Sequence, residues 1–140
     1  MRFKEDEAMR HIIPGVFYDI HGEAHAETLV VSFFDRTLRI RLEEGARASF
    51  VVPFTPIATY IKNAREQGED AGTEITIDGH YSNLQNNVNM TKGDISVRYQ
   101  QDHAHERISL GAPACGTIVV GLNRLLPCMG AAVKEMLKEG

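Results

Sequence analysis

Cys115 has the strongest capacity for chemistry of any residue in the chain. It stands in Gly111-Ala112-Pro113-Ala114-Cys115-Gly116-Thr117, which reads as a tight turn from a strand into a helix. With Pro113 at the first helical position, Cys115 falls in the first turn, where unpaired backbone N–H groups and the positive end of the helix dipole favour a thiolate. Gly111 and Gly116 leave room for a ligand to approach, and Thr117 adds a hydroxyl. The expectation is a small-molecule pocket at residues 111–117, with Cys115 as the reactive or contacting thiol and His103 or His105 as its base. The competing reading is that Cys115 is a small buried hydrophobe, since cysteine is among the most buried residue types.

The histidines suggest a second chemistry. His103 and His105 would share one side of a strand, and His21 and His25 one face of a helix, with Glu27 near as an oxygen donor. Imidazole is the commonest metal ligand, so these four residues form a candidate transition-metal set, although neither spacing belongs to a specific metal signature. A third group is the amide-rich stretch at residues 80–90, where Asn86 and Asn87 could contact a ligand; Asn also serves as an ordinary turn residue.

Ala114-Cys115-Gly116-Thr117, placed at a strand-to-helix turn, resembles the catalytic Cys-Gly-Thr turn of the diaminopimelate epimerase and proline racemase family. The resemblance implies a sheet wrapped around a central helix, and a cysteine acting as acid or base at a substrate α-carbon.

Elements that would position these residues can be read from periodicity. Ile118, Leu122, Leu125, Leu126, Met129, Val133, Met136 and Leu137 recur at helical spacing, which predicts a long C-terminal helix. Up to Leu126 its opposite side carries only Asn123 and Arg124 as strongly polar residues, so the helix is expected to be mostly buried. Pro127 removes a helix hydrogen bond and should kink it. A shorter helix is expected at about 56–67, with Thr55 as cap, Pro56 at its start and Gly68 as its stop. Period-2 alternation of Leu38, Ile40 and Leu42 with Thr37, Arg39 and Arg41 marks a strand, joined through Asp35-Arg36 to the β-branched run before it. Similar signals give about six strands in all. The expected fold is therefore α+β, a mainly antiparallel sheet packed around the C-terminal helix.

Size and charge bound the rest. A chain of 140 residues suits one domain, with residues 1–12 as a charged extension. A net charge of −4 without a basic run argues against nucleic acid as a partner. The charged start does not read as a secretory signal, and the apolar window at 117–133 is broken by Asn123, Arg124 and Pro127, so neither export nor a membrane span is expected. The two cysteines are then expected as free thiols in the cytoplasm, with a Cys115–Cys128 disulfide as the alternative. A sheet with open edges calls for cover, which predicts a homo-oligomer, and a non-catalytic oligomeric module is the plain alternative to an enzyme or binding protein.

Overall fold

In the computed structural model, residues 10–43, 48–67, 74–102 and 105–139 are described, apart from the side chains of 135–139. Eight strands follow one another as β1 (His11–Tyr18), β2 (Ala24–Phe34), β3 (Thr37–Leu42), β4 (Ala48–Pro53), β5 (Ile75–Asn83), β6 (Val88–Asp102), β7 (His105–Ala112) and β8 (Gly116–Gly121). Each pairs antiparallel with the next, and β1 returns to β8 through Val16↔Val119, Phe17↔Ile118 and Tyr18↔Thr117. The sheet is a closed barrel. Helix α1 (Phe54–Gln67) follows β4, and α2 (Leu122–Glu139) follows β8.

The alternation read in the sequence is what builds the wall. Leu38, Ile40 and Leu42 of β3 are buried while Thr37, Arg39 and Arg41 stand on the outer face. Opposed partners share a face, so Leu29, Val31 and Phe33 of β2 join them inside, as do Ile95, Val97 and Tyr99 of β6 and Ile108 and Leu110 of β7. An interior filled by apolar side chains differs from that of a membrane channel barrel, whose interior is polar. No helix among the described residues is long and apolar enough to cross a membrane.

Closure corrects the expected α+β arrangement. The sheet is not packed around a central helix; its own inward side chains fill the middle, as eight strands allow. Part of the expected C-terminal helix is strand β8. The run Thr117-Ile118-Val119-Val120 is β-branched throughout, and Ile118 and Val120 alternate inward, so pairing with β7 and β1 outweighs the helical spacing of Ile118. Helix α2 begins only at Leu122 and is amphipathic, not surrounded: Leu122, Leu125, Cys128, Met129 and Ala132 are buried, whereas Asn123, Arg124, Pro127 and Gly130 are exposed. It runs through Pro127 as one element, undivided. His11 and Ile12, expected to belong to an N-terminal extension, pair with Val31 and Val30 in β1. Gly68, the expected stop of the first helix, lies outside the described residues.

Pro14-Gly15, which suggests a turn, lies inside β1. A Cβ on Gly15 would come within 2.3 Å of Leu29 Cδ1, so glycine is what lets Leu29 fill the barrel there. A closed barrel has no open edge, and the reason for expecting self-association goes with it.

Both helices pack at the barrel end that carries the β2–β3 and β6–β7 connections. Phe54 of α1 meets Phe33 edge-on at 5.8 Å, and Ile57, Ile61 and Ala64 join the barrel core. Leu122, Leu125, Cys128, Met129 and Ala132 of α2 enter the same cluster. The far end, with the β1–β2, β5–β6 and β7–β8 turns, carries neither helix.

Candidate functional site

The Cys115 turn lies at that far end and joins two strands, not a strand and a helix. Cys115 N–H donates to the Ala112 carbonyl at 3.1 Å, and Ala114 and Gly116 take φ values of 63° and 85° to close the turn. Cys115 leads into strand β8 and not into an α-helix, so the helix dipole expected to favour its thiolate is not supplied by the turn, and the basis of the racemase-like resemblance goes with it. The side chain is fully buried, and burial pushes its thiol pKa up to about 11. A nucleophile or acid–base role at neutral pH has no support in this environment.

Asn86 is brought to this turn. Its side-chain amide donates to the Ala114 carbonyl at 3.1 Å, and that of buried Asn83 donates to the Cys115 carbonyl at 3.1 Å. Asn83 also caps the 3-10 turn Leu84–Asn86, and Asn87 closes it at φ 62°. These amides serve the backbone, the turn role open to Asn from the start. Gly111 has a packing role too, since a Cβ there would sit 2.7 Å from Thr117 Oγ1. Gly116 could not carry one either, with the Tyr18 carbonyl at 2.5 Å.

The three described histidines of the candidate set do not converge. His25 is at the β1–β2 end of the barrel and His105 at the β6–β7 end, while His103 lies outside the described residues. His21 is exposed, and its backbone N–H donates to Asp19 Oδ1 at 2.9 Å. His25 stacks on Phe17 and places Nε2 2.9 Å from Asp19 Oδ2. Asp19, Glu23 and His25 offer ligand atoms within 4.8 Å of one another. The His25 bond, followed by the Glu23 and His21 N–H groups, lowers the Asp19 pKa to about 2.

Concave space lies at the opposite end, between the helices. A groove of about 650 Å³ has Ala58 and Ile61 of α1 on one wall and Leu126, Met129, Gly130 and Val133 of α2 on the other. Gln101 and Glu106 from the barrel rim close it. A second cavity of about 640 Å³ shares Arg65, Glu106 and Leu126 with the first and continues to His105, Arg107 and Asn123.

A three-residue polar cluster stands where these cavities meet. Tyr99 Oη donates to Glu106 Oε2 at 2.6 Å, and Arg65 Nε donates to the same oxygen at 2.9 Å. The two bonds hold the Glu106 carboxyl below its usual range, Tyr99 contributing most. Burial, helped by the Glu106 charge, pushes the Tyr99 phenol up to about 12. Tyr60 Oη accepts the Tyr99 backbone N–H at 2.8 Å and so ties α1 to the same strand. A carboxylate this acidic is a poor base at neutral pH and a phenol this weak a poor acid, so the cluster suits recognition better than proton transfer.

Sequence reasoning passed over these residues because each lies on a different element. One signal was present: Glu106 occupies the inward parity of Ile108 and Leu110, where a carboxylate breaks the apolar pattern. Comparison of the chain with protein-family models, with curated proteins and with solved structures gives no match, so the barrel's own geometry is what bears on function.

Proposed function

We propose that this chain is a small-molecule binding protein whose site is the groove between α1 and α2, with an apolar body of the ligand along the helices and a polar end at Arg65, Glu106 and Gln101. This moves the expected binding function away from the Cys115 turn and leaves Cys115 a structural residue. The observation that carries the reading is Gly130. It lies inside α2, where glycine costs roughly 1 kcal/mol relative to alanine, and it lines the groove. A Cβ built there meets nothing within 4 Å, so packing does not require the glycine. A locally unfavourable residue at a concave surface fits a position kept open for a ligand.

The test is binding of a solvatochromic apolar dye to the native chain and to Gly130→Trp, whose indole would fill the groove. Enhanced, blue-shifted fluorescence that is abolished in Gly130→Trp, at a melting temperature no lower than that of the native chain, supports the site; equal dye binding by both proteins refutes it.

A second reading, a site for a divalent transition metal, is favoured by the cluster Asp19, Glu23 and His25, whose one nitrogen and two carboxylates suit such an ion. Titration with cobalt(II) should then give a stoichiometric visible spectrum that His25→Gln removes and His21→Ala retains. Loss in both variants, or in neither, counts against it.

A further inference from the structure

We infer that the ligand of the interhelical groove is a dissolved amphipathic anion, its apolar body between α1 and α2 and its carboxylate, or a headgroup of like charge, in the adjoining rim cavity. The inference rests on the groove being a ligand site and adds the chemical class of the ligand.

The two cavities share Arg65, Glu106 and Leu126, so one molecule can reach from one into the other. Their linings differ in kind. Between the helices the walls are mainly hydrocarbon, from Ile61, Leu126, Met129 and Val133, with Lys62 and Glu66 as an opposite-charge pair of rim residues. The rim cavity brings together Arg65, Arg107 and His105 around Glu106, its one carboxylate among the described residues.

One oxygen of that carboxylate is already taken. Its Oε2 takes both the Tyr99 hydroxyl and Arg65 Nε, which leaves the remaining N–H groups of Arg65, whose side chain is 48% exposed, free to donate. Arg107 is exposed and has no ion-pair partner among the described residues. An incoming anion therefore meets two guanidinium groups against one carboxylate, a balance that stays positive and that a cation meets as repulsion. Gly121 and Asn123 put the start of α2 on this cavity, with no acidic residue in its first turn, and the free N–H groups there add to the positive potential.

Calorimetric titration of the whole chain with decanoate, decanol and decyltrimethylammonium, each below its micelle threshold, tests the assignment. Decanoate should bind about tenfold more tightly than decanol, the worth of one charge-assisted hydrogen bond, and the cation most weakly. Arg107→Glu should remove the advantage of decanoate over decanol, with the melting temperature unchanged. Decanol matching decanoate, or decanoate binding untouched by Arg107→Glu, would overturn the anion assignment while the groove itself stood. Failure of all three amphiphiles would overturn both. The protein should also remain in the supernatant of phosphatidylglycerol vesicles; sedimentation with them that Arg107→Glu abolishes would assign the anion site to a lipid surface and refute the dissolved ligand.

Discussion

Tyr99 and Glu106, from neighbouring strands, share a 2.6 Å hydrogen bond that Arg65 reinforces from α1 at 2.9 Å. The bond thus couples the barrel wall to the helix that forms one side of the groove. Tyr99→Phe keeps the buried ring and removes only the hydroxyl, so it should cost about 1.5–3 kcal/mol, the usual range for a hydrogen bond to a charged group. Urea denaturation measures that loss. In an ultraviolet titration of the native protein the Tyr99 phenol should ionise near pH 12, later than an ordinary tyrosine.

Acid stability should follow Glu106 and Asp19. Both carboxyls have lower pKa values in the folded chain than when unfolded, so unfolding takes up protons and their stabilisation is complete above the ordinary carboxylate range. It is lost as pH falls through their folded values, which for Asp19 is about 2. Glu106→Gln should flatten the upper part of the acid limb of a urea-midpoint curve against pH, and Asp19→Asn the lower part. An acid limb unchanged in both variants would remove the electrostatic account.

Neither cysteine should behave as a reactive thiol. Cys115 is fully buried and its pKa is pushed up to about 11; burial raises Cys128 as well. Native protein at neutral pH should be alkylated by iodoacetamide far more slowly than free cysteine, and should reach the full rate in guanidinium chloride. Peptide mass spectrometry would show this for each residue.

The turn that holds Cys115 should be sensitive to its amide support. Asn83 is buried, donates to the Cys115 carbonyl and accepts the Asn86 N–H at 3.3 Å. Asn83→Ala leaves that carbonyl without this donor and should destabilise by about 1–3 kcal/mol. Gly116→Ala should cost at least as much, since it needs φ 85° and a Cβ 2.5 Å from the Tyr18 carbonyl. Wild-type denaturation midpoints for either variant would contradict this role.

Gly130→Ala should do the opposite. A methyl group there meets no neighbour, and the helix gains roughly 0.5–1 kcal/mol from replacing an interior glycine. The melting temperature should rise while affinity for a groove ligand falls, a separation of stability from binding that a purely structural glycine would not show.

Much of the local structure was legible in the sequence because its causes are local. Alternation in Thr37–Leu42 followed from side chains needing one dry and one wet face, and the hairpin through Asp35 and Arg36 forms with Phe34 opposite Thr37. The helix after β4 and the apolar stripe of α2 were likewise written in spacing. For Ile118 that evidence was ambiguous, since a short β-branched run fits a strand and also extends a helical pattern, and pairing with strands far away in the chain decided it.

Closure itself required the tertiary structure. Val16 pairs with Val119 across a hundred intervening residues, and no nearby sequence feature specifies that contact. Once the barrel closes, the edges that would have favoured self-association vanish, Cys115 is sealed into a strand-to-strand turn, and His25 and His105 are carried to opposite ends. The same closure brings Arg65, Tyr99 and Glu106 together at one rim from three separate elements. Periodicity along a chain records which face of an element is buried; which elements then meet is fixed by register and packing among residues distant in sequence.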